Sequence, residues 1–314
     1  MSHCLGSSVT GRLVGPARRR VRERMARSIE HLPTALEPVL RLQNVGPEEF
    51  VQRWLGVNQP VVLEGAAKDW PAVQRWNPAF FGERYGTETI RLLSMGPGDV
   101  DNANYTARET SLADAIDVLE TSGNKAYCRF LPTLMEHPEL RRDLDMAWFL
   151  DRRGPMSTAG NFHLFIGGAG TETGLHSAVS ANLFLQVHGT KRWTLYSPQW
   201  TPVFEPPMDR AMYFVSAFDP ERPDYERFPD ARHLQGYEVV LEPGDILWNP
   251  PFWWHKVSNP TTSIGLGYRW FPPQLCFEAS PIQWLLTYLS VNPPLWAGIG
   301  HKLDFTRIFA DRRF

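Results

Sequence analysis

At 314 residues, with 43% hydrophobic and 21% charged residues and a formal net charge of -2, the chain reads as one large or two modest globular domains with ample core. That balance argues against nucleic acid or an anionic membrane as a bulk electrostatic partner. Three scattered cysteines, Cys4, Cys128 and Cys276, offer no CxxC thiolate centre and fit a reducing compartment, and no apolar run reaches the ~18 residues of a membrane span.

Residues 1–37 read as a basic, disordered tail. Within it "ARRRVRERMARSIEHL" (17–32) is Arg-rich, and no apolar stretch follows the charges as an export signal requires. A cytoplasmic protein is expected, with organellar targeting by this segment as the alternative. Met25 offers a second translation start.

Residues 38–159 read as a mixed helix and strand elaboration. Pro47, Glu48 and Glu49 open a helix that carries Phe50, Trp54 and Leu55 on one face. Pro60 and Val61 to Leu63 suit an edge strand. Helices follow over 77–86 and 110–123, the second with Ser111 and Asp114 as a capping-box variant. Residues 125–130 read as a strand, and 133–145 as a helix in two pieces around Pro138.

From 160 to 272 short strands alternate with Gly and Pro, the texture of a β-barrel or sandwich. Strands are expected at 162–166, 176–187, 192–196, 237–241, 246–248, 253–257 and 263–271, with a hairpin at Gly189-Thr190 joining the second and third. Residues 199–235 read as a long insert whose aromatics (Phe204, Tyr213, Phe214, Phe218, Tyr225, Phe228) serve as a lid or as core. The segment 273–314 supplies two apolar-faced helices. The fold class expected is mainly β, with flanking helices.

Two histidines stand out. His176 follows "TETGL", and His255 ends "EPGDILWNPPFWWH", where a Pro243-Gly244-Asp245 turn, an apolar strand and Pro250-Pro251 precede it. That order resembles the second cupin motif. Residues 173–193 resemble the metal strand of the Jumonji-C, or cupin-like, Fe(II)/2-oxoglutarate-dependent oxygenases. Its pattern is a Thr three before a His-x-Asp pair, an Asn six after the His and a Lys fifteen after it. Thr173, His176, Asn182 and Lys191 hold those places, and Ala178 stands where the Asp belongs. Residues 50–76, with Pro60-Val61-Val62 and Trp70-Pro71, resemble the family's opening, and "AYCRFLPTLMEHPELRRDL" its strand-helix step before the barrel. The resemblance thus runs over roughly residues 40–272.

It implies a double-stranded β-helix (jelly-roll, cupin) barrel. It further implies Fe(II) on His176 and His255, 2-oxoglutarate on Lys191, Thr173, Asn182 and Tyr127, and O2 as oxidant. The residue chemistry agrees. Residues two apart on a strand share a face, so His176 and position 178 can address one ion, with His255 expected from the other side of the barrel. Two histidines and a carboxylate with open positions suit non-haem Fe(II). A lysine aimed into a dry barrel implies an anion.

Ala178 removes one oxygen ligand and one negative charge. The first expectation is halogenation, with chloride or bromide in the vacant place, since Fe(II)/2-oxoglutarate halogenases as a class carry His-x-Ala or His-x-Gly there. The second is hydroxylation, with water or another carboxylate (Glu172, Glu205 or Asp209) completing the site. Glu172 lies ~13 Å along an extended strand from His176, too far without a bend. The third is an inactive barrel, natural or engineered, that only binds. Joint retention of Thr173, Lys191 and His255 favours the enzyme readings. The expected substrate is an amino acid, a peptide or another small molecule, with Trp248, Trp253, Trp254 and Phe214 as candidates for its mouth. His163 is expected in the core, His188 in solvent, and the C-terminal helices at a homodimer contact.

Overall fold

A computed structural model describes residues 33–289, apart from 95–105, 122–125, 132, 155–156, 158–159 and 207–212, together with Arg20, Glu23, Arg24, Arg27 and Ile29. Most of the basic tail, Met25, Cys4, Asp209 and the last expected helix lie outside the described residues.

The first six strands are β1 (Ala35–Pro38), β2 (Leu40–Leu42), β3 (Val61–Leu63), β4 (Thr89–Ser94), β5 (Thr106–Ser111) and β6 (Ala126–Leu131). The next five are β7 (Asn161–Gly167), β8 (Glu172–Ala178), β9 (Ala181–His188), β10 (Lys191–Tyr196) and β11 (Tyr213–Val215). The last four are β12 (Gln235–Leu241), β13 (Ile246–Asn249), β14 (Trp254–Ser258) and β15 (Ser263–Trp270). They form a six-stranded sheet in the order β1-β12-β10-β14-β8-β11 and a nine-stranded sheet in the order β2-β3-β13-β9-β15-β7-β6-β4-β5. This is the expected cupin-type jelly roll.

Period-two alternation sorts the side chains between layers. On β9, Ala181, Leu183, Leu185 and Val187 join the core outside the nine-stranded sheet, under the N-terminal helices. Phe184 instead meets Trp193, Leu195, Leu247 and Trp253 between the sheets. A third core, with Phe204, Phe214, Phe218, Phe228 and Trp254, joins the insert to the barrel. The insert aromatics named here are therefore packing, and the insert also contributes β11, paired with β8.

Local signals that the sequence carried hold where one element suffices to read them. Asn77 caps the helix Pro78–Tyr85, and Ser111 caps Leu112–Glu120 by accepting from the Asp114 N–H at 3.1 Å. The chain splits at Pro138 into Thr133–Glu136 and a 3-10 turn over Pro138–Asp143.

Several expectations are corrected. The run 176–187 is two strands, β8 and β9, parted at Val179-Ser180 and placed in different sheets. Gly189-Thr190 is not a hairpin, because β9 pairs with β13 and β15 while β10 pairs with β12 and β14. Gly189 has φ 64° and turns the chain from one sheet to the other; a Cβ there would fall 2.1 Å from the Thr262 carbonyl oxygen. The strand Val61–Leu63 is not an edge, since β2 covers it in parallel. β1 pairs with β12 over Ala35–Pro38, so the sheet reaches into the stretch read as tail. The described part of the C-terminal segment forms helices Pro273–Ala279 and Pro281–Leu289 and exposes Phe277, Ile282 and Leu285. Among the described residues no helix is long and apolar enough to cross a membrane.

Candidate metal and cosubstrate site

β8 and β14 are neighbours in the six-stranded sheet, and His176 and His255 are cross-strand partners with ring centroids 4.0 Å apart. The expectation that His255 arrives from the opposite side of the barrel is therefore corrected. Sequence spacing says nothing of sheet order, and 79 positions separate residues that pair directly. A register shift between His255 and Val257 brings Thr173 as well as His176 onto the inner face. Phe252, at φ 63°, donates its N–H to the Ala178 carbonyl at 2.8 Å, and its own carbonyl accepts from Ser177 Oγ at 2.8 Å. These two bonds tie the chain just before His255 to the strand of His176.

The histidines are prepared as neutral donors. His176 Nδ1 lies 2.8 Å from the Gly174 carbonyl, and His255 Nδ1 lies 2.9 Å from the Trp253 carbonyl. A carbonyl can only accept, so each Nδ1 carries the proton and each Nε2 keeps its lone pair. Burial pushes His176 well below the ordinary histidine range and His255 down to about 3. Trp193 stacks on His255 at 5.3 Å and 27°.

Lys191 is fully buried, which excludes a solvated role. Its Nζ donates to Asn259 Oδ1 at 2.5 Å, and Asn259 Nδ2 donates in turn to Thr171 Oγ1 at 2.6 Å. The ammonium lies 5.5 Å from the Tyr127 ring centroid and 5.6 Å from that of Phe184. Burial first, and the Arg129 charge second, bring Lys191 down to about 7. Lys191, Tyr127, Thr173, His176 and His255 line one small cavity of about 20 Å³, room for roughly one water. Asn182 does not line this cavity; it is 2% exposed on the inner end of β9, and its amide has no hydrogen-bond partner among the described residues.

Ala178 is half-buried, on β8 two residues after His176. Among the described residues no group of three or more His, Cys, Asp or Glu is placed to hold a metal ion. Glu172 cannot stand in, because it is held outside by Lys256 at 3.1 Å and Arg222 at 3.1 Å. Glu205 terminates the helix Thr201–Phe204 at φ 47°. The candidate mouth is corrected for three of four residues. Trp248 packs against Phe50 and Trp270 outside the barrel, and Trp254 and Phe214 lie in the insert core. Trp253 borders a surface pocket, with its indole N–H on the Asn58 carbonyl at 2.8 Å.

Sequence reasoning passed over Arg129, Arg269 and Trp193, which also line the cavity. A signal was available for each, as Arg129 stands two after Tyr127 and Trp193 two after Lys191, on the same strand faces. Arg269 closes the alternating row Gly265-x-Gly267-x-Arg269. His163 is buried as expected, but on the inner face, where burial and Arg269 hold it down to about 3. His188 is half-buried rather than exposed.

A jelly roll with paired inward histidines and a buried lysine defines the cupin class of barrel. The chain belongs to the cupin-like, Jumonji-C family: the model of the cupin-like domain matches residues 47–275. It is 26% identical over 250 residues to lysine-specific demethylase 8 of Xenopus tropicalis, covering 77% of this chain and 56% of that protein. It is 26% identical over 274 residues to the human bifunctional peptidase and (3S)-lysyl hydroxylase JMJD7, covering 76% and 85%. With human HSPB1-associated protein 1 it shares 29% over 242 residues, 68% of this chain and 48% of that protein. The chain thus spans about half the length of two of these relatives and most of the third. The family supports the general class of Fe(II)- and 2-oxoglutarate-dependent oxygenases.

Proposed function

We propose that the protein carries out oxidative C–H modification with Fe(II) and 2-oxoglutarate, and that an exogenous anion, chloride or bromide, stands where the family's carboxylate would, making the reaction a halogenation. One observation carries this reading: the cavity keeps both histidines and Lys191 buried yet is lined by no carboxylate among the described residues. The donor set fits an iron ion in two of three protein positions, because both Nε2 lone pairs are available and only the oxygen ligand is lacking.

Bound iron with its cosubstrate and dioxygen supplies the oxidising power for C–H cleavage. The chain's own residues do the rest. His176 and His255 present neutral nitrogens whose orientation the Gly174 and Trp253 carbonyls fix. Lys191 meets the distal carboxylate of the cosubstrate, with Thr173 and Tyr127 beside it. Phe184 and Trp193 keep water out. Ala178, two residues after His176 on β8, brings no charge.

Hydroxylation is the second reading, supported by the name of the human lysyl hydroxylase relative. Succinate formation from 2-oxoglutarate by iron-loaded protein, with and without chloride or bromide, tests the choice. Turnover that rises with halide in the wild type, and loses that dependence in Ala178→Asp, is expected. Halide-independent turnover moves the assignment to hydroxylation, and no turnover leaves a binding role.

A further inference from the structure

A second cavity, of about 280 Å³, opens at the surface between β1, the end of β10, the start of β12 and the loop before β3. Strand direction places it at the metal end of the barrel. β14 runs antiparallel to both β8 and β10, so those two share a direction, and β12 opposes them. The exits of β8 and β10 and the entries of β12 and β14 therefore meet at one end. Ala178 closes β8 there, and Ser197, Gln235 and Trp253 line the cavity at that end. Lys191 opens β10 at the far end.

Register carries the connection further. Glu37, Tyr237, Leu195, His255 and His176 are successive cross-strand partners, and partners across a ladder point to the same face. Glu37 and Tyr237 line the cavity, so its wall continues the sheet face that bears the histidines. At about 4.8 Å per strand, Tyr237 lies roughly 10 Å from His255 and Glu37 roughly 14 Å. Trp253 joins the two regions. Its carbonyl meets His255 Nδ1 at 2.9 Å, its indole N–H donates to the Asn58 carbonyl at 2.8 Å, and its ring meets Tyr237 at 5.9 Å and 50°.

The lining carries one sign of charge. Glu37 is exposed, and no Lys, Arg or His among the described residues lines the cavity with it. Asn58, Gln59, Gln199 and Gln235 add carboxamide oxygens, and Asn58 Oδ1 is buried with no hydrogen-bond partner among the described residues. Such a surface disfavours anions and accepts from N–H donors, and a cation gains from aromatic faces as well as from the carboxylate.

We propose that this cavity is a substrate subsite for a primary ammonium, held between Glu37 and the Tyr237–Trp253 corner, roughly 10 Å from the reacting carbon. The ammonium anchors the substrate and is not the group that reacts. The substrate is thus an elongated, amine-bearing chain whose far end reaches the histidines. Its role as a substrate subsite rests on the iron reading of His176 and His255; ammonium binding itself does not.

Calorimetric titration of n-hexylammonium, n-hexanol and hexanoate into metal-free protein, at about 0.1 M salt, tests the cavity. The ammonium should bind about tenfold tighter than the alcohol, as a cation–π contact and an exposed ion pair together allow, with hexanoate weakest. Glu37→Gln should cut that preference about threefold. Val57→Lys, which sets a cation at the rim, should cut it at least as far, and both positions are exposed, so neither change should disturb the fold. Equal binding of ammonium and alcohol, or a preference unchanged in both variants, overturns the proposal. Orientation is read from proton relaxation of bound n-hexylammonium with Mn(II) at the histidines. The methyl end should relax faster than the carbon next to nitrogen, and the difference should vanish in His176→Ala. Faster relaxation at the nitrogen end would place the ammonium at the metal and would also overturn the proposal. Should Mn(II) not be retained, the iron reading falls, while the metal-free titration still decides the ammonium site.

Discussion

The two ends of the barrel cavity are built to different standards. Around Lys191 a neutral hydrogen-bond chain is supplied: Asn259 accepts from the ammonium, Thr171 accepts from Asn259, and Ser263 donates to Asn259 at 3.2 Å. Around His176 and His255 the nitrogens are oriented by the Gly174 and Trp253 carbonyls, but Ala178 stands at the position where the family's pattern has an Asp. A barrel that had lost all chemistry would have little reason to bury a lysine at 0% exposure, since burying a charge is among the costliest things a fold does. The difference supports the proposed reading of a site altered in one ligand.

Breaking the scaffold shared by both ends has the largest expected effect. Lys256, next to His255, is buried with Asp219 at 2.6 Å and Glu172 and Glu221 each at 3.1 Å, which ties the insert to β8 and β14. Lys256→Met removes the buried cation and leaves Asp219 and Glu172 with Arg222 alone, and should cost about 3–5 kcal/mol in urea unfolding. An effect below 1 kcal/mol would mean that the insert is not clamped there.

Next comes the complete end. Lys191→Met should weaken 2-oxoglutarate binding about a hundredfold in calorimetry, in the range of a lost buried charge pair. Stability without ligand should hold or rise, because an isolated buried charge is removed.

At the incomplete end, Ala178→Asp should raise Fe(II) affinity about tenfold, roughly 1.4 kcal/mol for a restored anionic ligand. Metal content after dialysis measures it. Unchanged retention would show that position 178 does not face the ion.

The smallest effect is in pH. Lys191 sits at about 7 in the folded protein against 10.5 ordinarily. Between those values the unfolded chain binds the extra proton, so unliganded stability should rise as pH goes from 7 to 10.5. A carboxylate needs the charged lysine, so 2-oxoglutarate affinity should fall about fivefold between pH 7 and 8. A flat profile, measured by calorimetry in buffers of matched ionic strength, would contradict a neutralised Lys191.

Much of the barrel was legible in alternation and turn chemistry, because strand periodicity is local. Sheet membership was not. The apolar run through Val179 hides the break between β8 and β9, and Gly189-Thr190 looks the same whether its strands pair or part. The site followed the same rule. His176, His255 and Lys191 came from spacing, whereas the adjacency of the two histidines and the inward course of Arg269 depend on pairing across distant strands. Trp248 and Trp254 were misplaced because flanking a motif does not say which face of a strand a side chain takes.

The most direct test of an intact cosubstrate end beside an anion-accepting metal end is optical. Metal-free protein is titrated anaerobically with Fe(II) and 2-oxoglutarate, first without halide and then with chloride or bromide. A visible charge-transfer band that strengthens or shifts with halide in the wild type, and is indifferent to halide in Ala178→Asp, is the predicted result. No band under any halide would contradict it.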